Sequence, residues 1–322
     1  MGTGAVIAAR SSSKRVIYAA LAGNFMVALT KFGAAWWTGS SAMLSEAIHS
    51  LVDTSNQVLL LYGIHRAAIP ADAEHPLGHG RELYFWSFIV ALLMFMLGAC
   101  ITFYEGISHI ANPHAMVDAH INYIVLGCSV LFEGATWAIA LKEFRKTKGG
   151  AGYVEAFVRS KDPPSYMVLF EDTAALLGLF IAFAGTLSAQ LLAMPVLDGV
   201  AAIGISLVLG TTAILLARES KDLLIGEPAS PRVCQAIVEI AKAISGIERA
   251  NVVFTVHLSP DQIVAALSLE FADSLTTPEI EEKVLTLERT IHEELPAVVA
   301  IFIKPQTAGT FQSRRRLLGR VS

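Results

Sequence analysis

An imidazole and a carboxylate four residues apart, His49 and Asp53, sit inside the apolar run from Ser40 to Leu61. That spacing puts both on one face of a helix, and the run is long enough to cross a bilayer. An ionisable group at membrane depth costs roughly 2.5 kcal/mol or more on insertion scales, so it persists where it faces a partner, an aqueous cavity or an ion. A second acidic pair, Glu171-Asp172, lies in another apolar run. Together these residues predict a path for a divalent cation across a membrane. One imidazole nitrogen and carboxylate oxygens suit Zn2+, while Co2+, Fe2+, Mn2+, Ni2+ and Cd2+ remain compatible with the donor types. His49, Asp53 and Asp172 make three ligands, leaving a fourth position to Glu171, Asn56, water or a main-chain group. Adjacent helical side chains point about 100° apart, so Asp172 takes precedence and Glu171 is a tentative ligand. Glu46, three residues before His49, shares its face and could orient it or carry a proton. The alternative reading is an internal hydrogen-bonded network that only holds helices together.

A second constellation, Asp72-Ala73-Glu74-His75-Pro76-Leu77-Gly78-His79-Gly80, offers two imidazoles and a carboxylate within eight residues. Asp72, His75 and His79 can close around one metal if the proline and glycines fold the segment back; the alternative is an ordinary polar loop. His109, His114 and His120 cluster in a different loop and read as surface or interface residues.

The elements that must position these groups follow from composition. Of 322 residues, 54% are hydrophobic and only 16% charged, with mean hydropathy +0.55. Soluble chains carry about a quarter charged residues, so a polytopic membrane protein is the expected class. The formal net charge of -4 gives no sign of nucleic-acid binding. Cys100, Cys128 and Cys234 form no CxxC or zinc-ligand spacing, which argues against a disulfide framework or structural zinc site. Six apolar segments are long enough to span, approximately 16–38, 41–65, 83–108, 120–141, 165–192 and 196–217. The first is too long for a signal-peptide core and reads as a span. Arg10, Lys14, Arg15, Arg66, Arg81, Lys142, Arg145, Lys146, Lys148, Arg159, Lys161, Arg218 and Lys221 fall on one side. The opposite loops, Thr38 to Ser40, Ser108 to Asn122 and Ala189 to Pro195, hold no Lys or Arg, so both termini are expected in the cytoplasm. Lys31, inside the first span, is expected to pair with a carboxylate in the bundle.

Beyond Gly226 the pattern changes. Val233, Ala236, Ile237, Ile240, Ala241 and Ile244 repeat at helical spacing after Ser230-Pro231, a helix start. Asn251 to Leu258 and Ile263 to Phe271 read as a hairpin with a longer turn over Ser259 to Gln262. Thr276 to Glu279 is a capping-box pattern before a helix with Ile280, Val284, Leu287, Ile291 and Leu295 on one face. Val298 to Ile303 reads as a last strand. The order αββαβ predicts a small α+β domain. The expected organisation is a cytoplasmic N-terminal segment over 1–15, a six-helix transmembrane domain over 16–222, a cytoplasmic α+β domain over 223–306, and a basic, disordered tail over 307–322. The tail's Arg314-Arg315-Arg316 could touch acidic headgroups, though a solvated tail is the simpler reading.

These features resemble the cation diffusion facilitators over about residues 15–305. The carriers of the resemblance are Ser45 to Thr54, His-Pro-Leu-Gly-His-Gly over 75–80, Phe132-Glu133-Gly134-Ala135-Thr136 and Leu169-Phe170-Glu171-Asp172-Thr173-Ala174-Ala175. The last two are similar to the subgroup that contains the ninth human zinc transporter. The resemblance implies a homodimer that exports Zn2+ or related ions from the cytoplasm in exchange for protons. It also implies a ferredoxin-like, metallochaperone-like soluble domain. Most members carry a further ligand four residues before the span-five Asp, where this chain has Val168. Soluble-domain metal positions of the family fall on Asn251, Ser268, Glu281 and Ile303, so that domain is expected to dimerise without metal, while Asp72, His75 and His79 match the family's loop ligands.

A zinc/proton antiporter in a bacterial inner membrane is therefore the leading expectation, with an organelle membrane as the alternative location. No prosthetic group is expected, the metal being cargo. The alternatives are a non-transporting or regulatory membrane scaffold on the same fold, or an intramembrane metal-dependent hydrolase, for which no HExxH occurs.

Overall fold

Burial of apolar surface organises this chain twice, around a bundle of long helices and around a small sheet. The computed structural model describes residues 2–38, 41–113, 119–148, 150 and 152–317. The side chains of 2–16, 41–46, 48–49, 119–122 and several isolated positions lie outside that description. Two compact units emerge. One comprises Ala9–Ile69 with Glu82–Asp222, and the other Met1–Ala8, Pro70–Arg81 and Leu223–Ser322.

The helical unit is built from α1 (Gly2–Thr38), α2 (Ser41–Ala67), α3 (Glu82–Leu93), α4 (Ile101–Ala111), α5 (Ala119–Lys148), the short α6 (Tyr153–Arg159), α7 (Pro163–Leu191) and α8 (Val196–Ile225). A π-helical stretch, Met94–Cys100, joins α3 to α4 without a break, so Glu82–Ala111 is one helix. Helix α1 starts at Gly2, so the segment 1–15 expected ahead of the first span is largely helical. Ala5, Ala8 and Ala9 favour that continuation. Among the described residues, four helices are long and apolar enough to cross a membrane: Glu82–Ala111, Tyr123–Lys146, Pro163–Leu191 and Val196–Ile225. Helices α1 and α2 have 37 and 27 residues, also beyond the length a bilayer requires. Helix α2 interrupts its apolar run with Ser50, Asp53, Asn56 and Gln57, all buried.

Asp162 followed by Pro163 and Pro164 opens α7, where missing N–H groups cost nothing. Its residues Tyr166, Met167 and Val168 join Leu60, Ala91, Met94, Ala140, Leu209 and Ala213 in one apolar core. Helices α4 and α8 cross where Gly106 faces Gly199: a Cβ on Gly106 would stand 2.9 Å from the Gly199 carbonyl, and the reverse approach is 2.8 Å. Only glycine allows this contact, and His109 Nδ1 pairs with Asp198 Oδ2 beside it at 3.4 Å. His109 is thus an interhelical partner rather than a surface residue; the side chains of His114 and His120 lie outside the described residues.

In the other unit, α9 (Pro231–Ala243), β1 (Ile247–Ser259), β2 (Gln262–Phe271), α10 (Thr277–Glu294) and β3 (Val298–Pro305) follow the expected αββαβ order. The sheet order is β1-β2-β3, antiparallel between β1 and β2 and parallel between β2 and β3. Central β2 buries Ile263, Ala265, Leu267, Leu269 and Phe271, a period of two. They pack with Ile237 and Ala241 of α9 and Leu287 and Ile291 of α10. Ser230 caps α9, its hydroxyl accepting from the Val233 N–H at 3.4 Å. Thr276 and Glu279 form the reciprocal capping box of α10, and this holds the Glu279 carboxyl below its ordinary range.

Two expectations change here. The hairpin turn is only Pro260-Asp261, tighter than anticipated, because β1 and β2 extend to Ser259 and Gln262. The Ser259 hydroxyl donates to Asp261 and closes the turn. The basic segment expected to be disordered forms α11 (Ala308–Leu317). Thr307 starts it, its hydroxyl accepting from the Thr310 N–H at 3.3 Å. Residues 318–322 lie outside the described residues.

Candidate metal centre

The helical period of α2 places Asp53 one turn after His49 and one turn before Asn56 and Gln57. Asp53 is buried, and Asn56 and Gln57 are fully so. Both amides reach α7: Asn56 Nδ2 donates to Glu171 Oε1 at 2.7 Å, and Gln57 Nε2 donates to Glu171 Oε2 at 2.8 Å. Gln57 Oε1 in turn accepts from Asn24 Nδ2 of α1 at 3.3 Å. One polar chain therefore ties α1, α2 and α7 together. Asp172 points elsewhere, as neighbouring helix positions must. Its hydrogen-bonding neighbour is Thr136 of α5, and the charges that act on it are Glu133 and Asp53. Asp172 Oδ2 is buried without a hydrogen-bond partner.

Four carboxylates, Asp53, Glu133, Glu171 and Asp172, are thus buried among these helices. Among the described residues Lys31 is the one buried Lys or Arg. Its ammonium pairs with Glu133 Oε1 at 3.7 Å and donates to Ser50 Oγ at 3.0 Å, so the expected pairing with a carboxylate is found. Buried carboxylates in excess of buried cations are costly unless protonated, hydrogen-bonded or neutralised by an ion. Val168 is fully buried in the apolar core one turn before Asp172. The side chains of His49 and Glu46 lie outside the described residues. The Asn56–Gln57–Glu171 clamp is the functional feature that sequence reasoning missed. Half of its signal is in the sequence, two adjacent amides one turn beyond Asp53 in an apolar run; their partner on α7 is not.

The loop constellation closes as the proline and glycines allowed. Asp72 Oδ1 accepts from the N–H groups of Glu74 and His75 at 2.9 and 2.6 Å. Its Oδ2 lies 3.0 Å from His79 Nε2, and His75 Nδ1 lies 3.4 Å from Oδ1. Gly78, at φ 81, makes the turn, with its N–H bonded to the His75 carbonyl at 2.9 Å. Ligand atoms of Asp72, His75 and His79 all fall within 4.8 Å of one another, and no other set of three His, Cys, Asp or Glu does so among the described residues. Hydrogen bonds from His79 and the His75 backbone lower the Asp72 carboxyl to about 2, so it is ionised throughout the neutral range. His79 is buried while Asp72 and His75 are half open to solvent, leaving an approach for an ion. Within the same unit Gly80 lies against the β-hairpin, where a Cβ would come within 2.9 Å of the Leu258 carbonyl.

In the sheet, Asn251 Nδ2 donates to Ser268 Oγ at 3.4 Å and to the Gln306 carbonyl at 2.8 Å. An amide–hydroxyl network thus joins Asn251, Ser268 and Gln306 across the sheet.

A family model described as the cation efflux transmembrane domain matches residues 17–225. The proton-coupled zinc antiporter SLC30A9, mitochondrial, of Mus musculus is 30% identical over 271 residues, covering 84% of this chain and 48% of that protein. Metal tolerance protein C4 of Arabidopsis thaliana is 30% identical over 262 residues, 80% of this chain and 56% of its own. The cation-efflux pump FieF of Escherichia fergusonii is 26% identical over 288 residues, 88% of this chain and 89% of its own. The chain spans about half the length of the first two relatives. With buried carboxylates inside the matched segment and long apolar helices around them, this chain belongs to the cation efflux family, whose members are transporters and not enzymes.

Proposed function

We propose that this chain exports divalent metal cations, Zn2+ foremost, across a membrane in exchange for protons. The observation that carries the reading is the burial of Asp53 and Asp172 on α2 and α7, with Asp172 Oδ2 unpartnered. A cation is the partner that such a group lacks. His49, on the Asp53 face of α2, supplies a nitrogen donor that suits zinc better than Mg2+, Ca2+ or Mn2+. Glu171, with both oxygens accepting amide hydrogens, braces α2 against α7 and offers an ion only its remaining lone pairs. Glu46 orients His49 or carries a proton. Metal binding requires a neutral imidazole and ionised carboxylates, so protons and metal compete for the same lone pairs. That competition is the physical basis of exchange.

The bundle spans six times through α1, α2, Glu82–Ala111, α5, α7 and α8, with both termini on the cytoplasmic side, as the Lys and Arg distribution supports. A bacterial inner membrane is the proposed location, an organelle membrane the alternative. Asp72, His75 and His79 form a second, cytoplasmic metal site outside the membrane path. The chain works as a homodimer whose α+β domain associates without metal. Phe254 and Phe302, exposed on β1 and β3 and both in register with Ala266 of β2, offer an apolar row for that contact.

The test is uptake into proteoliposomes of Zn2+, Co2+, Fe2+, Mn2+, Ni2+ and Cd2+ in turn. Zinc uptake above protein-free vesicles, lost in Asp53→Ala and Asp172→Ala, supports the reading. Uptake that survives both substitutions refutes the site.

A further inference from the structure

Lys31 is left over once the ligands are assigned. It is 2% exposed, a full positive charge fixed among helices that are meant to receive another. Lysine carries a compact point charge, and burying it is expensive unless it is paired. Two of its partners are informative. Ser50, which accepts from Nζ at 3.0 Å, lies between His49 and Asp53 on α2. Glu133, 3.7 Å away on α5, is a charge that acts on Asp172. The ammonium therefore links the helix that bears two ligands to a carboxylate beside the third.

We propose that Lys31 determines ion specificity by occupying Glu133. The inference rests on the transport reading above. His49, Asp53 and Asp172 give three donors where zinc takes four, and Glu133 is the buried carboxylate not otherwise assigned among the described residues. Bound to Lys31, Glu133 is neutralised and withheld from the ion. What remains is a set with an imidazole and few carboxylates, which favours Zn2+. Released, Glu133 adds a hard oxygen donor and a negative charge, which favours Mn2+ relative to Zn2+. Bracing alone could be done by an uncharged hydrogen-bonded pair at lower desolvation cost.

The experiment measures initial uptake of Mn2+ and Zn2+ by the full chain in proteoliposomes. Lys31→Gln raises the Mn2+:Zn2+ ratio about tenfold, the lower end of the change that groups around metal ligands make in affinity. Lys31→Gln combined with Glu133→Gln returns the ratio to that of the unaltered chain, and Lys31→Arg, which keeps the charge, leaves it there. A purely structural pair would change the amount of folded protein but not the ratio. An unchanged ratio in Lys31→Gln overturns the inference, as does a raised ratio that persists in the double variant. If Lys31→Gln does not fold, Glu133→Gln decides. The uncancelled ammonium then raises KM for both ions at a constant ratio, and the double variant restores it; an unaltered KM in Glu133→Gln refutes the proposal. An unaltered chain that moves no divalent cation refutes the transport reading and this inference with it, whereas a failure confined to the Lys31 and Glu133 variants leaves the transport reading standing.

Discussion

Replacing Glu171 separates bracing from ligation. In Glu171→Ala both acceptors vanish, and the bonds of 2.7 and 2.8 Å from Asn56 and Gln57 go with them. Interhelical hydrogen bonds in membranes average ~0.6 kcal/mol and reach about 1.7, so two contribute ~1–3 kcal/mol. The stranded amides add about 1–3 kcal/mol more, for a total of ~2–6 kcal/mol. Glu171→Gln should behave differently. The new carboxamide oxygen can accept from Gln57, whose own Oε1 is committed to Asn24. The new NH2 then faces Asn56, whose Oδ1 has no partner and can turn to accept it. One bond on each side survives, and the expected cost falls below about 1 kcal/mol. The assay is melting of the detergent-solubilised protein beside zinc KM in proteoliposomes. Melting near that of the unaltered chain with KM within about threefold supports a brace. Glu171→Gln as unstable as Glu171→Ala would refute the hydrogen-bond reasoning. A stable Glu171→Gln with zinc KM raised more than tenfold would make Glu171 a direct ligand.

Alanine at His49, Asp53 or Asp172 should abolish zinc transport while the protein still assembles, as read by size-exclusion chromatography; full transport by any one variant removes that residue from the site. His75→Ala with His79→Ala should lower bound metal per subunit, measured by elemental analysis after equilibration with zinc, without abolishing transport. The lowered Asp72 carboxyl sets an acid limit on the loop. Its folded value of about 2 lies below the ordinary 3.8, so its hydrogen bonds stabilise the loop fully above about pH 4 and are lost as pH falls toward 2. Hydrogen exchange at the Glu74 and His75 amides should stay slow down to about pH 4 and accelerate below it, whereas Asp72→Ala, which removes the acceptor, should show fast exchange throughout.

Local chemistry was legible in the sequence where the signal is short-range. The caps at Ser230 and Thr276, the alternation along β2 and the loop formed by Asp72, His75 and His79 each lie within a few residues. The divergence of Glu171 from Asp172 followed from helix geometry alone. What stayed hidden depends on which helix faces which. Asn56 and Gln57 meet Glu171 across more than a hundred residues, and no periodicity encodes that pairing. His109 reads as a surface residue in the sequence, because the Gly106–Gly199 crossing that brings it to Asp198 is visible only in three dimensions. The tail misled for another reason: Arg-rich composition suggested disorder, while Thr307 supplies a cap that starts α11.

Zinc flux under an imposed proton gradient tests the exchange mechanism most directly. Reconstituted vesicles are loaded with zinc, a proton gradient is set opposite to the expected zinc flow, and efflux is followed at several pH values for the unaltered chain and for His49→Asn. Because imidazole and carboxylates bind either metal or protons, a proton gradient directed against zinc flow should accelerate efflux, and apparent zinc affinity should fall as pH drops from about 7.5 to 5.5, the range in which imidazoles ordinarily titrate. His49→Asn should blunt both effects. Zinc efflux by the unaltered chain at one rate with and without the proton gradient would contradict antiport and leave a uniporter or a different coupling ion.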